Sequence, residues 1–416
     1  MLWFLSNLLL TVCGAYAAPL RVEIRKSSEY QTPIAVWHVN HQEVQNIVAQ
    51  DLDRSGAFLV LKSGCFWEGV PCFVVRANIV RLENGLWQAQ VCLDKDDQEE
   101  ERIVIQPICA KNIRDLSHQI ANKIHEKIVG QPGHFSQCII YRSQCGAKES
   151  GGRSRVSICD SDGARGMFLT PQDLDIRTLC ADARSGRIAY AGYKGGHTRL
   201  FVAHPKYNKI YEIVLKGGGI PIAPRFSPCG KKLIFSLAKD GVTSLYQYTF
   251  DDQKVCQYTK KGLYIDVSAS YAPDGQSFVF VSDRSKGRPR LYVKHSGQAP
   301  VLLSKGAGSY FAPCWSPDGQ WIIFVKRRSD GYYLGIMASD GTQERLIARD
   351  HMIDSPSWSD NSRIILFTAQ QKRFGPFSLF TIDRAGRTLR KISLNINGKQ
   401  SAGDNPCWGT ELHQKS

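Results

Sequence analysis

The sequence motifs of several common enzyme active sites are missing from this chain of 416 residues. It has no G-x-S-x-G, no H-E-x-x-H, no G-x-G-x-x-G opening a helix and no G-x-x-x-x-G-K-[ST]. These are the patterns of nucleophilic serines, catalytic zinc sites and phosphate-binding loops. His38 and His41 could share a metal ion, but a pair without further ligands is typical of an ordinary surface. We predict a protein that is not an enzyme, with no catalytic residue, metal site or cofactor.

An acidic run at residues 94–101 is a second candidate for metal chemistry. Calcium loops space their oxygen ligands and carry a glycine at the turn, and this run has neither feature. We therefore predict a solvated surface loop between two strands.

Thirteen cysteines are the remaining reactive side chains. The absence of C-x-x-C disfavours structural zinc and a thioredoxin-like redox motif. In an exported chain, Cys65 with Cys72, or Cys138 with Cys145, lie close enough in sequence to close small disulfide loops. Spacing alone does not assign these pairs, and several cysteines are explained equally well as small buried apolar residues.

The first 17 residues are typical of a secretion signal. An apolar run at residues 2–12 is followed by Ala15-Tyr16-Ala17, a cleavage site that would release a chain beginning near Ala18. The run is too short to span a bilayer, so the mature protein is expected to be exported and soluble. Two alternatives stay open: the run is a buried strand or helix, or Cys13 is lipidated, although a lipoprotein box prefers a smaller residue than Val12.

Residues 18–133 show the patterns of a small α/β domain. Helical spacing of apolar residues over 42–54 and 113–128 predicts two helices, which end at Ser55-Gly56 and at Gly130. Asn84-Gly85 predicts a tight hairpin. Strand patterns occur at residues 20–24, 34–39, 58–61, 72–82, 86–93 and 103–105.

Residues 134–416 contain a unit that repeats every 43–50 residues. The clearest copies are Phe226-Ser-Pro-Cys-Gly230, Tyr271-Ala-Pro-Asp-Gly275, Trp315-Ser-Pro-Asp-Gly319 and Trp358-Ser-Asp-Asn-Ser362. A degenerate copy at residues 181–190 and a truncated copy at Trp408 bring the number of copies to six. Proline ends strand pairing and Asp-Gly makes the turn, so each copy is one hairpin of a blade. The fold class predicted is an α+β amino-terminal domain followed by an all-β six-bladed propeller, whose last strand completes the first blade.

The charge of the chain is concentrated in the repeats. The net charge is +15, but residues 19–133 carry 13 basic and 15 acidic residues, so the propeller holds the entire positive excess. Export removes chromosomal partners, and the basic residues are scattered among blades rather than interleaved with exposed aromatics, which disfavours nucleic acid. An acidic protein surface or an anionic envelope polymer is the expected partner.

The domain order, the opening Leu20-Arg-Val-Glu-Ile24, the helix Ile47-Val-Ala-Gln-Asp-Leu52 running into Ser55-Gly-Ala-Phe58, and the propeller repeats together resemble the TolB family of the Tol-Pal system. The resemblance covers nearly the whole mature chain. It implies a non-enzymatic, monomeric periplasmic protein, peripheral to membranes, that supports outer-membrane integrity and invagination during division. It also implies two partners, the peptidoglycan-associated lipoprotein Pal and the inner-membrane protein TolA.

The same resemblance implies where these partners bind. The TolA-like partner is expected on the amino-terminal segment, which would add as a strand to the sheet edge of that partner. The alternative, that the segment is an ordinary first strand of the domain, stays open. That segment comprises Ala18, Pro19, Leu20, Arg21, Val22, Glu23, Ile24, Arg25 and Lys26. The Pal-like partner is expected on loops entering the repeat strands around the channel. The residues there are Ile220, Pro221, Ala223, Asp266, Val267, Tyr310, Phe311, Asp354 and Asp404.

Two features depart from the family pattern. Ile220 and Pro221 stand where relatives tend to carry a histidine followed by a polar residue, and the segment between Leu61 and Cys72 is short. The alternatives to a Tol-Pal role are a secreted propeller that binds glycans or peptides, and a non-catalytic relative of propeller peptidases.

Overall fold

The structure, a computed structural model, describes residues 31–62, 72–95, 98–145, 153–170, 175–182, 184–259, 262 and 264–409. The predicted signal peptide at 1–17, Cys13, Cys65 and the predicted TolA-facing segment at 18–26 lie outside these residues. Within the described ranges, no helix has the length and apolar character needed to cross a membrane.

The amino-terminal domain is a mixed five-stranded sheet packed against two helices. Its elements are β1 (Thr32–Val39), α1 (Gln42–Arg54), β2 (Phe58–Val60), β3 (Phe73–Arg81), β4 (Trp87–Lys95), β5 (Gln98–Ala110) and α2 (Ile113–Val129). The sheet order is β2-β1-β3-β4-β5, with β1 parallel to β2 and β3 and the other pairs antiparallel. Asn112 accepts a hydrogen bond from the Asp115 amide at the start of α2, and left-handed Gly130 ends it. Both predicted helices are confirmed.

The described residues after the amino-terminal domain form six four-stranded antiparallel sheets and one short two-stranded hairpin, which confirms the predicted propeller. The closing blade 6 contains β6 (Cys138–Cys145), β7 (Arg153–Asp160) and β8 (Met167–Phe168). Blade 1 contains β9 (Asp175–Ala181), β10 (Ile188–Lys194), β11 (His197–His204) and β12 (Lys209–Ile213). Blade 2 contains β13 (Ile220–Phe226), β14 (Lys232–Lys239), β15 (Val242–Thr249) and β16 (Lys254–Gln257). Blade 3 contains β17 (Asp266–Tyr271), β18 (Phe278–Ser285), β19 (Arg288–Lys294) and β20 (Val301–Leu302).

Blade 4 contains β21 (Ser309–Trp315), β22 (Trp321–Arg328), β23 (Gly331–Ala338) and β24 (Arg345–Asp350). Blade 5 contains β25 (Met352–Trp358), β26 (Ile364–Gln370), β27 (Ser378–Asp383) and β28 (Arg390–Lys391). The chain ends with a short hairpin of β29 (Asn395–Ile396) and β30 (Lys399–Gln400), followed by β31 (Gly403–Gly409).

The carboxyl-terminal strand closes the ring. Strand β31 pairs antiparallel with β6, so blade 6 has the order β31-β6-β7-β8 and combines the two ends of the propeller sequence. This joint is the one predicted from the truncated copy at Trp408. The recurring aromatics Phe235, Phe280, Phe324 and Phe367 are completely buried in the second strands. Each contributes about 2–3 kcal/mol by burial, so the repeat mainly builds the core between blades.

The blades give the propeller two different faces. Turns between the first and second strands, and between the third and fourth, lie on one face, which we call the domain face. Turns between the second and third strands lie on the other face, together with the starts of the innermost strands, and we call this the open face. The Asn361 side chain donates to the Pro132 carbonyl at 3.1 Å, Arg387 donates to the Gly56 carbonyl, and Arg390 pairs with Asp53, all on the domain face. The described contacts of the amino-terminal domain therefore leave the open face uncovered.

One sequence prediction in these regions is wrong, and the strand pattern decides one question that the sequence left open. The acidic run is not a separate solvated loop, because β4 and β5 run into it and Asp94 is completely buried. Asp94 accepts hydrogen bonds from Arg76 at 2.6 Å and from Arg102 at 2.7 Å, and the Arg102 bond, against burial, holds its carboxyl pKa below the usual range. Cys138 and Cys145, one of the two pairs close enough in sequence for a disulfide loop, begin and end the same strand, and its length exceeds the span of a disulfide.

Candidate docking site on the propeller

The innermost strands of the blades share an irregularity that shapes the central channel. The pairing of the first with the second strand shifts register in blades 2 to 6, beside a residue with positive φ. These residues are Ala223 (φ 50°), Ser268 (54°), Ala312 (44°), Ser355 (49°) and Asn405 (49°). A left-handed backbone costs a non-glycine residue on the order of 1 kcal/mol. Because it recurs in five blades, the bulge is a property of the ring rather than the mark of one ligand site.

Hydrogen bonds between neighbouring blades hold the bulged strands together. The Ala223 amide donates to Thr178 Oγ1 of the preceding blade at 3.1 Å, and the Ser355 hydroxyl bonds to Asn405 Oδ1 of the following blade at 3.1 Å. The Trp315 amide donates to Ser270 Oγ at 3.1 Å. The Ala223 amide at the bulge is thus bound across a blade boundary, and together the three bonds join neighbouring blades into a continuous, stiff channel wall.

Carboxylates occupy the starts of the innermost strands. Arg284 donates to both oxygens of Asp266 at 2.7 and 2.9 Å, and Arg142 binds Asp404 through Nε at 2.5 Å and through a second nitrogen. Asp354 is different, because burial raises its pKa and the nearby Asp404 charge adds to this effect. The open-face end of the channel therefore carries two carboxylates that are paired with arginines, and a third, Asp354, that binds a proton more tightly than usual.

The opposite end of the channel contains a cavity of about 500 Å³. It is lined by the repeat aromatics Phe226, Tyr271, Trp315, Trp358 and Trp408 and by Arg225. Arg225 donates to the backbone carbonyls of Leu179 and Pro224 at 3.3 and 3.0 Å. Burial raises the pKa of the neighbouring Cys180 thiol to about 12, so this thiol is protonated and unreactive.

The structure places the residues predicted to face a Pal-like partner on strands, not on loops. They belong to the bulged innermost strands β13, β17, β21, β25 and β31, because each unit begins with the channel strand instead of a loop. Ile220 is 54% exposed, whereas Ala223, Val267, Phe311 and Asp354 are half-buried. Pro221, Asp266, Tyr310 and Asp404 are buried.

Tyr310 is the most deeply buried of these residues. Its side chain is completely buried, its hydroxyl donates to Glu344 Oε2 at 2.8 Å, and it accepts from the buried Lys326 ammonium at 2.7 Å. Burial, the Glu344 hydrogen bond and its charge raise the pKa of Tyr310 well above its usual value. Tyr310 fixes the packing of blade 4 and offers no side-chain surface to a partner.

Exposed apolar side chains on the open face were missed by the sequence reasoning. Val214 is 73% exposed, Tyr264 and Ile265 are each 50% exposed, and Phe374 at the tip of the β26–β27 turn is 79% exposed. Ile220, Tyr264 and Ile265 lie at or just before the starts of innermost strands, whereas Val214 and Phe374 lie further out on the same face. Large apolar residues grouped on one face of a protein are typical of an interaction site.

One cluster of potential metal ligands occurs among the described residues, at the boundary between the two domains. Atoms of His118, Asp160 and Asp162 lie within 4.8 Å of one another. Arg114 donates to Asp160 and Asp162 at 3.2 and 2.5 Å, and Arg165 binds Asp160 at 2.9 Å. Since arginines already occupy these carboxylates, the cluster serves as an ion-pair network joining α2 to blade 6.

The pair of His38 and His41 has no such cluster around it in the part of the chain that the structure describes. His38 is exposed, and His41 packs edge-on against Trp87 with ring centroids 5.7 Å apart.

These features define a class of protein: a rigid six-bladed propeller with a stiff channel, one free apolar face, and a small α/β domain fixed to the other face. A family model described as "TolB beta propeller domain" matches residues 125–412. The chain belongs to the TolB family.

Similar proteins support the same assignment over the whole chain. A protein named "Tol-Pal system protein TolB" from Rickettsia prowazekii (strain Madrid E) is 33% identical, covering 87% of this chain and 89% of the relative. A protein with the same name from Gluconobacter oxydans (strain 621H) is 28% identical over 95% of this chain and 90% of its own length. The crystal structure of TolB from Acinetobacter baumannii shares the fold, with a TM-score of 0.79 and 23% identity over 94% of this chain and all of that chain.

Proposed function

We propose that this protein is a non-enzymatic periplasmic component of the Tol-Pal system, with a Pal-like lipoprotein on the open face and a TolA-like inner-membrane protein on residues 18–26. In this role it acts as a monomer, peripheral to membranes, that links the cell envelope during outer-membrane maintenance and division. Membership of the TolB family supports a role in the Tol-Pal system.

The uncovered, apolar open face is the observation that carries the lipoprotein part of the proposal. Ile220, Tyr264 and Ile265 are at least half exposed beside the channel mouth, while the described contacts of the amino-terminal domain are on the other face. A partner that covers these residues removes apolar surface from water. Because the channel wall is stiff before binding, little conformational entropy is lost when the complex forms. The half-buried Ala223, Val267, Phe311 and Asp354 then contribute shape and backbone groups, whereas the buried Pro221, Asp266, Tyr310 and Asp404 only support the strands.

The segment at 18–26 supplies the second contact of the proposal. Its alternating sequence Leu20-Arg-Val-Glu-Ile24 suits addition as a strand to the sheet edge of another protein. Such a contact forms through backbone hydrogen bonds and can be released again, which is useful in a link between two membranes.

A capture experiment with the soluble parts of both partners tests the proposal. We expect Ile220→Asp to weaken lipoprotein capture by about tenfold or more, as for a residue at the centre of an interface. The matched control is Val301→Asp, because Val301 is 59% exposed on the outer strand of blade 3, away from the open face. Equal effects of the two variants would contradict the assignment of the open face.

A deletion tests the second contact independently. Removing residues 18–28 should abolish capture of the TolA-like partner and leave lipoprotein capture unchanged or stronger. Loss of both captures to the same extent would show that the two contacts are not separate.

A further inference from the structure

The exposed charges of the propeller are distributed unequally between its faces. Turns of the open face carry the exposed cations Lys194, Lys286, Arg288 and the pairs Arg327-Arg328 and Lys372-Arg373. The exposed carboxylates described on the same turns are Asp240 and Asp330. Asp330 is itself held by Arg349, with Nη1 and Oδ2 3.3 Å apart, so it offsets little of this charge. Lys216 and Lys305, on the connections between blades, add two more exposed cations.

The domain face shows no such excess in its described turns. Its exposed cations Arg165, Arg184, Lys206 and Lys231 stand beside the exposed carboxylates of Asp251, Asp252, Asp274, Asp318, Asp340 and Asp360. Lys209, Lys254, Arg390 and Lys391, which begin three outer strands, turn this into a small positive excess, well below that of the open face. The positive excess therefore lies mainly on the open face.

Aromatic side chains accompany the cations at two tips of the open face. Phe374 is 79% exposed, and the Arg373 guanidinium lies 5.2 Å from the centre of its ring. Tyr193 is 45% exposed next to Lys194. Aromatic rings beside cations, at the tips of turns instead of in a groove, are arranged as in proteins that rest at a bilayer interface.

We propose that the open face binds the surface of an anionic lipid bilayer. Equivalent turns of blades around one axis lie at the same level, so basic tips in blades 1, 3, 4 and 5 reach a flat surface together. A single acidic protein would meet a local patch, whereas these cations are spread around the ring. Lipid phosphates would bind the lysine and arginine tips, and Phe374 and Tyr193 would lie among the headgroups. This activity goes beyond the protein contacts proposed above.

Cosedimentation of the full chain with vesicles tests the proposal. We expect binding to vesicles of phosphatidylcholine with phosphatidylglycerol, little binding to phosphatidylcholine alone, and release at high salt. The variant Lys372→Glu with Arg373→Glu should bind the anionic vesicles about 25-fold more weakly or worse, at about fivefold for each cation removed. Phe374→Ser should weaken binding without changing its dependence on salt.

The matched control makes the same change of net charge on the other face. Lys206→Glu with Lys231→Glu should leave vesicle binding within about twofold of the unaltered chain, because those residues are turned away from the lipid. Equal binding to neutral vesicles, equal losses in the two double variants, or no binding to anionic vesicles at low salt would each overturn the proposal. If the full chain bound an acidic protein but did not bind anionic vesicles, the open face would be a protein contact only. Lipoprotein capture without lipid, tested with Ile220→Asp, separates this result from the proposed Tol-Pal role.

Discussion

The buried histidine at the boundary between the two domains should make the stability of the protein depend on pH. His118 is 3% exposed, and its Nδ1 lies 2.6 Å from Oδ2 of the completely buried Asp51. Burial lowers the pKa of His118, but the charge and hydrogen bond of Asp51 and the charges of Asp162 and Asp160 outweigh it, so the pKa is raised. The charged groups around it are Arg54, Arg114, Asp115 and Arg165, with the neutral ring of His134 nearby.

The direction of the pH dependence follows from this raised pKa. The folded protein holds the proton of His118 more tightly than the unfolded chain does. The stabilisation from protonated His118 is therefore complete at a pH below the pKa of this residue in the unfolded chain, about 6.5. It is lost as the pH rises through the pKa of the folded state. We expect the free energy of unfolding to fall by up to about 1.4 kcal/mol per pH unit above pH 6.5. Burial lowers the pKa of His125 and His134, so these residues cost stability only below that pH.

Asp51→Asn isolates the interaction. The variant should lose about 3 kcal/mol at pH 6.5, as for a broken buried ion pair, and should no longer become less stable between pH 6.5 and 8. Urea unfolding followed by tryptophan fluorescence at several pH values measures both effects. Asp53→Asn on the same helix is the control, because its bond to Arg390 is on the surface and should contribute under about 1 kcal/mol. If Asp51→Asn kept the pH dependence, or Asp53→Asn removed it, His118 would not be its source.

Three further predictions concern the propeller. Lys326→Met should destabilise the protein by about 3 kcal/mol in urea unfolding, because it leaves Glu344 without its buried cation, and adding Glu344→Gln should restore part of the loss. Gly335→Ala should cost about 1–3 kcal/mol, since a Cβ there would lie 2.3 Å from the Phe324 ring; Phe324→Leu added to it should relieve the clash. Deleting residues 403–416 should remove the inner strand of blade 6, and size-exclusion chromatography should then show aggregates in place of a single compact species.

The propeller could be predicted because its signals are local. Each copy such as Trp315-Ser-Pro-Asp-Gly319 contains the end of a strand, the turn and the start of the next strand, so pairing between neighbours follows from the sequence. Ring closure also followed, because the copy at Trp408 lacks a partner strand unless the first strands return to it. The two helices were predicted for the same reason, from apolar spacing and their end residues.

The errors arose where residues on different strands meet. Asp94 was assigned to a solvated loop because the run around it is acidic, yet Arg76 and Arg102 from neighbouring strands bury it. Tyr310 was assigned to a partner surface, yet Lys326 and Glu344 enclose its hydroxyl. A buried charge requires its partners in place, and local sequence does not state which other residues those are.

The uneven charge of the two faces follows from the order of strands in a blade. Along an antiparallel blade, successive turns lie on opposite faces of the propeller. Whether a turn is the first, second or third of its blade therefore determines the face on which it lies. The first turn is built from Ser-Pro-Asp-Gly, where Asp318 hydrogen-bonds the Gln320 amide to shape it, and this chemistry puts carboxylates on the domain face. The second turn, as at Lys372-Arg373, has no such constraint and is free to carry cations. Charges that look scattered along the sequence are therefore sorted onto one face by folding, and counting turns in each repeat would have predicted a basic face.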